Sequence, residues 1–338
     1  MKIPRPGGIA LLSIGLGLSL VFALGAGRYP VSPAQAARAF RLWWTDPVAA
    51  GTDPSAVVLF SLRLPRLCAA VLVGMALSAS GAAYQSVFRN PMADPGLLGT
   101  STGAACGAAV GILLGCPYGL VQFLSFFGGI AAMLCVLGLW ALVREEGEGT
   151  VPLVLCGIVV HSTASALLSL AKYAADPESK LPALNTWLMG SLTAIGPSDL
   201  ARAAWFFPPA LLGLWALRSS MDALALGEDD ALSVGARPQL VRAAAVVFST
   251  LLVSAAVSLC GILVWVGVLV PHLARLALGP RFSVLLPGTL LAGAAFLLLA
   301  DTLCRTLFPL EVPLGIATAL TGAPAFAALL RRSRRGWA

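Results

Sequence analysis

The chain has 338 residues, of which 58% are hydrophobic and 11% are Asp, Glu, Lys or Arg. Ordinary soluble domains carry roughly 25% charged residues, so this composition excludes a typical cytosolic enzyme, a disordered tail and a small disulfide scaffold; it fits an integral membrane protein with several spans. The net charge of +7 does not point to nucleic acid: basic residues sit at segment ends, and Arg331, Arg332, Arg334 and Arg335 close the chain as an anchor beside anionic membrane lipid.

Charge-free runs, taken in chain order, predict an all-α integral membrane bundle of ten helices within one domain covering 1–338. The spans fall near 8–27, 67–88, 97–116, 119–143, 151–171, 201–217, 239–259, 261–278, 284–308 and 313–331. The first also carries the basic start and small residues (Ala23–Gly27) of a secretory signal, but its apolar stretch is long enough to cross, and it is expected to be retained. Leu181–Ser198 is uncharged yet holds Pro182, Asn185, Thr186, Gly190, Ser191, Thr193, Gly196 and Pro197. Free backbone polar groups are not tolerated against lipid, so this stretch reads as a re-entrant or half-helix segment buried in protein. Gly261 divides a long apolar run into two spans, and Pro271 should end or kink the second. Lys and Arg favour the inside modestly, placing both termini in the cytoplasm of a multi-pass protein.

The chemistry the chain lacks is informative. Cys68, Cys106, Cys116, Cys135, Cys156, Cys260 and Cys304 form no CxxC pair, and His161 and His272 form no HExxH site, so no metal or cofactor centre is expected. Lys2, Lys172 and Lys180 precede Ile, Tyr and Leu, so no Gly-Lys-Ser/Thr phosphate loop exists and any ATPase must be another chain. No paired carboxylates or nucleophile–base set suggests catalysis. Asp301 lies nearest the interior, with Arg305 one helical turn on as an intrahelical ion partner. Scarce interior carboxylates weaken, without removing, the alternative of an ion-coupled secondary transporter or channel acting alone. The fifth span carries His161, Ser162, Thr163 and Ser165, which face either a pathway or a neighbouring helix. His161 could ligate haem iron or serve as a hydrogen-bonding group.

Four stretches stand out. Arg63-Leu-Pro-Arg66 leads into Gly74-Met-Ala-Leu-Ser-Ala-Ser-Gly81 and Tyr84-Gln-Ser-Val-Phe-Arg-Asn-Pro-Met-Ala-Asp-Pro-Gly96. Leu226-Gly-Glu-Asp-Asp-Ala-Leu-Ser-Val-Gly235 lies in the hydrophilic loop 221–236, its acidic residues near a helix N-terminus. The third is Gly261-Ile-Leu-Val-Trp-Val-Gly-Val-Leu-Val-Pro-His272, and the fourth joins Asp301 and Arg305 to Glu311-Val-Pro-Leu-Gly315 and Thr318–Pro324.

In this order and spacing, from Arg63 to Arg332, they resemble the FecCD-type (type II) permease subunits of ABC importers for iron–siderophores, haem and vitamin B12. Trp265, where the family usually has Phe, and Pro280-Arg281-Phe282, where it often has Asp-His-Arg, depart from the pattern. The resemblance implies a ten-span subunit that pairs with a second copy of itself around a central path. Two separate ATPase subunits would dock on the cytoplasmic side, and a periplasmic or extracellular substrate-binding protein on the other. It implies coupling helices at Leu226, Gly227, Glu228, Ala231 and Gly235, and binding-protein docking at Arg63, Arg66 and, more weakly, Arg305. It also implies an inner gate at Asn90, Met92 and Thr150. Nothing in the spans separates siderophore from haem or cobalamin.

Overall fold

The computed structural model describes residues 7–27, 29, 31–143, 151–307 and 310–333. In chain order the helices are α1 (Gly7–Gly25), α2 (Pro33–Thr45), α3 (Pro47–Thr52), α4 (Pro54–Val57), α5 (Leu64–Val87), α6 (Thr100–Leu113), α7 (Tyr118–Val143), α8 (Val151–Ala174) and α9 (Lys180–Leu188). They continue as α10 (Pro197–Ala203), α11 (Phe207–Ala216), α12 (Arg218–Leu226), α13 (Glu228–Ser233), α14 (Pro238–Cys260), α15 (Val266–Leu278), α16 (Phe282–Thr306) and α17 (Leu314–Ser333). Among the described residues there is no strand.

Six helices are long and apolar enough to cross a membrane, or up to seven if Pro197–Ala216 and Arg218–Leu226, bent by 45°, count as one broken span. Three shorter apolar helices, Thr100–Leu113, Val266–Leu278 and Leu314–Ala328, fall where the remaining expected spans lie. The stretch expected as a half-helix holds α9 and irregular backbone to Gly196; it is not buried as expected, for only Leu184 of α9 is buried within the chain. α14 ends at Gly261 (φ +75°), as expected. Pro271, by contrast, does not end α15, which runs on to Leu278. A proline withdraws the N–H that would bind the carbonyl four residues back, here Gly267. That carbonyl abuts Gly81 of α5, where any side chain would collide with it, and the neighbouring Val268 carbonyl accepts Gln85 Nε2 at 3.1 Å.

α5 and α14 form the centre: every residue from Leu252 to Cys260 is buried, as are most from Leu67 to Val87. Lipid and Leu are equally apolar, so helices in a bilayer associate through close packing of small residues rather than by hydrophobic exclusion. Gly74 of α5 and Gly293 of α16 each leave room for the other's backbone, and Gly103 of α6 meets Gly128 of α7 in the same way. A short cap, α2 to α4, covers its own cluster of Val31, Ala39, Ala50, Ala56, Leu59 and Phe60. Between α4 and α5 the chain widens into a π turn, Val58–Arg63, in which Leu64 N bonds the carbonyl of Leu59. The wider turn stands immediately before Pro65, whose ring would otherwise press on the carbonyl of Ser61.

Gly293→Val should destabilise the chain by about 3 kcal/mol, because the added carbon meets the Ser78 hydroxyl and the Gly74 carbonyl, and that carbonyl is backbone that cannot move aside. Gly138→Val, whose added carbon meets nothing within 4 Å, is the control. Thermal unfolding in detergent compares them, and equal midpoints would contradict the packing argument.

Candidate functional site

At the end of the bundle where α5 begins, the three arginines singled out in the sequence converge. The last carbonyls of a helix have no partner inside it and carry the negative end of its dipole. α1 presents such carbonyls at Ala23 and Leu24. Arg305 Nη2 donates to the Ala23 oxygen at 2.6 Å, and Arg63 Nη1 donates to the Leu24 oxygen at 2.6 Å. Arg63 Nη2 also bonds the Tyr29 carbonyl, and Gly27 leaves the gap through which that guanidinium passes. Arg66 donates Nε to Asp301 at 2.9 and 3.1 Å and Nη1 to Glu311 at 3.1 Å. Asp301 also faces Arg305 Nε at 3.7 Å, the expected i,i+4 pair. Arg63 and Arg305 are 5% and 6% exposed, so both side chains are committed inside the chain; the Arg66 and Glu311 side chains, at 14% and 28%, reach the rim.

Glu311 extends this knot to the half-helix. Thr193 Oγ1, in the irregular backbone after α9, donates to Glu311 Oε2 at 2.9 Å. That backbone is held by main-chain bonds from Ser191 N to the Cys260 carbonyl (2.8 Å), from Leu314 N to the Gly190 carbonyl (2.9 Å) and from Gly315 N to the Met189 carbonyl (3.1 Å). The half-helix is thus stitched to the end of α14 and the start of α17. Lys180 Nζ takes the Leu113 carbonyl at the end of α6 at 2.6 Å. A cavity of about 490 Å³ opens here, lined by Cys116, Tyr118, Thr186, Trp187, Ser191 and Thr193 among others, with no charged residue in its wall.

A second cavity, about 370 Å³, lies deeper, between the turn before α6, α8 and the irregular stretch Ile262–Val264. His161 and Thr102 meet in it, Nδ1 to Oγ1 at 2.9 Å, beside Asp94 and Ser101. His161 is therefore engaged with a neighbouring helix and also lines a cavity, so the two readings of the fifth-span cluster coexist. Ser162 is exposed and Ser165 half-buried, outside this chamber. Among the described residues no group of three or more His, Cys, Asp and Glu converges to hold a metal ion.

At the opposite end of α5, Asn90 Oδ1 accepts Met92 N at 2.9 Å in a tight turn, and both residues are exposed. Thr150 lies outside the described residues. The 221–236 loop folds as α12, an extended Gly227 and α13, which stops before Gly235 (φ +78°). Glu228, Asp229 and Asp230 fill the first turn of α13, where the helix dipole favours negative charge. Ala231 is buried against the chain itself, whereas Leu226, Leu232 and Val234 form an exposed apolar patch.

Three side chains that the sequence did not single out hold this unit. Arg242 of α14 pairs with Glu228. The Asp222 carboxylate accepts Phe282 N at 2.5 Å and Ser283 N at 3.3 Å, capping α16. Arg89, in a left-handed conformation (φ +47°) beside Asn90, donates Nη2 to the Leu224 carbonyl at 2.6 Å. A positive φ costs energy for a residue with a side chain, so this link is held against local strain. Its position next to the Asn-Pro turn was the available sequence signal; Asp222 and Phe282 lie too far apart in the chain to announce each other.

The family model described as the FecCD transport family matches residues 15–332. The molybdate import system permease protein MolB of Haemophilus influenzae is 35% identical over 331 residues, which is 96% of this chain and 95% of that protein. The hemin transport system permease protein HmuU of Yersinia pestis is 35% identical over 302 residues, 87% of this chain and 88% of the other. A solved structure described as an inward-facing conformation of a metal-chelate type ABC transporter superposes with a TM-score of 0.85 at 32% identity, covering 97% of this chain and 100% of that one.

Breaking this pair from one side leaves a buried charge with one partner fewer, Asp301 with Arg305 alone or Arg66 with Glu311 alone. Arg66→Gln and Asp301→Asn should therefore each cost about 3–5 kcal/mol, and the double variant should cost less than their sum by at least about 1 kcal/mol. A thermal-unfolding cycle in detergent measures this coupling, and additive losses would show that the two groups act independently.

Proposed function

Because the chain belongs to the FecCD transport family, whose members are multi-pass permeases of ABC importers rather than catalytic enzymes, we propose that it forms the conduit by which a bulky metal chelate enters a bacterial cell. The chelate is an iron–siderophore, haem or cobalamin, and the conduit lies in the cytoplasmic membrane with both termini inside. The observation that carries this reading is the end-to-end likeness to the metal-chelate type transporter. In this reading the chain crosses ten times: six long helices, the stretch of α10 and α11, and the three shorter apolar helices. A second copy of the chain completes the path, and two copies of a separate ATPase supply the energy.

The geometry suggests how motion passes between partners. The exposed patch of Leu226, Leu232 and Val234 is the surface offered to the ATPase. Glu228 and Gly227 set the attitude of α13, with Gly235 closing it and buried Ala231 seating it on the chain. Arg89 joins α12 to the turn carrying Asn90 and Met92, so displacement of the coupling unit moves that gate directly. At the other end the substrate-binding protein docks. Arg66 and Glu311 are within its reach at the rim, while Arg63 and Arg305 keep α1 in place beneath them. The chamber beside the half-helix receives the cargo, and His161 lines the next one.

The uncharged, partly aromatic wall of the first chamber favours a large chelate with apolar faces over a small oxyanion. Molybdate, named for MolB, is the second reading because that likeness spans nearly the whole chain.

The test is reconstitution in vesicles with the cognate ATPase and binding protein. ATP-dependent uptake of a ferric siderophore, haem or cobalamin is expected, and gradient-driven transport by this chain alone would establish the carrier alternative instead. Glu228→Lys should lower uptake at least about tenfold while binding-protein docking persists. Arg89→Ala should leave ATPase docking intact yet reduce uptake, and full uptake by either variant would remove that residue from the coupling route.

A further inference from the structure

The cap formed by α2, α3 and α4 belongs to none of the sites above. Each of its helices starts on a side-chain oxygen followed by proline: Ser32 with Pro33, Asp46 with Pro47 and Asp53 with Pro54. Ser32 and Gln35 close a reciprocal capping box, and the Asp46 and Asp53 carboxylates each accept a backbone N–H at 3.0 Å. The cap is thus a defined structure rather than a loose connection.

Its outer face is unusual. By helical spacing, Ala37, Phe40 and Trp44 of α2 share one arc, and Arg38, Arg41 and Thr45 share the next. Trp44 is 88% exposed, and Phe40, Trp43 and Val48 are also open. Arg38 is tied to Asp53 at 3.3 Å, and Arg41 is exposed. An apolar, tryptophan-bearing arc beside a basic arc is the pattern of a helix lying at a membrane–water boundary.

The placement of the cap selects lipid as the occupant. Trp43 stacks on Phe60 with ring centroids 4.5 Å apart, and Phe40 meets the same ring edge-on at 5.0 Å. Phe60, Leu64 and Cys68 recur about once per turn along one side of the span, and Leu64 and Cys68 are exposed to the surroundings of the bundle. The cap therefore overhangs the face of this span that lipid covers. The continuous helical stretch Pro54–Val87 has 34 residues. At about 1.5 Å per residue it measures about 50 Å, against a hydrocarbon core of about 30 Å, so it is long enough for the first turns, on which the cap packs, to extend past the hydrocarbon.

We propose that α2 is an interfacial anchor: Trp44, Trp43 and Phe40 enter the bilayer boundary and Arg41 meets anionic headgroups, fixing the height and tilt of the Pro54–Val87 span. The full-length protein would be reconstituted in phosphatidylcholine–phosphatidylglycerol vesicles, and tryptophan emission compared between wild type and a Trp43→Phe, Trp44→Phe variant. The difference between them isolates the two rings, and phenylalanine preserves the stack on Phe60. Lipid brominated near the carbonyl end of its chains should quench this difference emission at least about twofold more than lipid brominated near the chain end. Aqueous iodide should barely affect it. Strong quenching by iodide would overturn the proposal and leave the arc free for a soluble partner, and protection from both quenchers would replace lipid by a second copy of the chain.

Discussion

A backbone polar group has no partner in hydrocarbon, and each departure from regular helix in this bundle is arranged around that constraint. The end of α1 is closed by Arg63 and Arg305. The carbonyl released by Pro271 lies against the backbone of Gly81, and the irregular stretch after α9 is bonded to α14 and α17. Lys180 performs the same service for the end of α6. Arginine suits this work because it is always charged and presents several donors in a fixed plane, so one side chain can hold a carbonyl and a neighbouring group together. Charge is scarce in this chain because most of it is not needed at a surface; what remains inside is committed to termini and breaks.

α5 connects the two ends of the bundle at which the singled-out side chains gather. At one end its first turn holds Arg66 against Asp301 and Glu311, and through Glu311 against Thr193 of the half-helix. Past its other end Arg89 grips α12. Between them it lies against α16, α14 and α15 through glycines that admit backbone, not side chains. Close packing of this kind makes a helix move as a body. The arginine knot and the α12–α13 unit are therefore connected through a single stiff element.

Much of this architecture is legible in the sequence, because a bilayer forces a simple code. Uncharged runs mark spans, and the prolines, glycines and amides of Leu181–Ser198 mark backbone that cannot face lipid. The Asp301–Arg305 pair is legible because it repeats at helical spacing. The second partner of Asp301, Arg66, is not, since it lies 235 residues from Asp301 and no local pattern reports so distant a contact. The cap went unread for a different reason. α3 and α4 are too short for a period to emerge, α2 at 13 residues is too short for a span, and the repeated Ser-Pro and Asp-Pro pairs mark where all three begin. Ala231 and Leu232 are adjacent and both apolar, yet one is buried and the other open, a distinction that depends on how α13 sits on α14.

The interruption after Gly261 leaves α15 beginning inside the bundle, with Gly267 close to Pro95, and α6 begins a few residues beyond that same proline. Two helix macrodipoles therefore direct their positive ends, each about half a unit charge, toward one interior region. Asp94 stands there, its carboxylate accepting Gly96 N at 2.5 Å, on the wall shared with Ile262–Val264. An aspartate in the short turn between α5 and α6 thus faces the interior at the meeting point of two helix N-termini. Its position sets a negative group against the combined field of two helix ends.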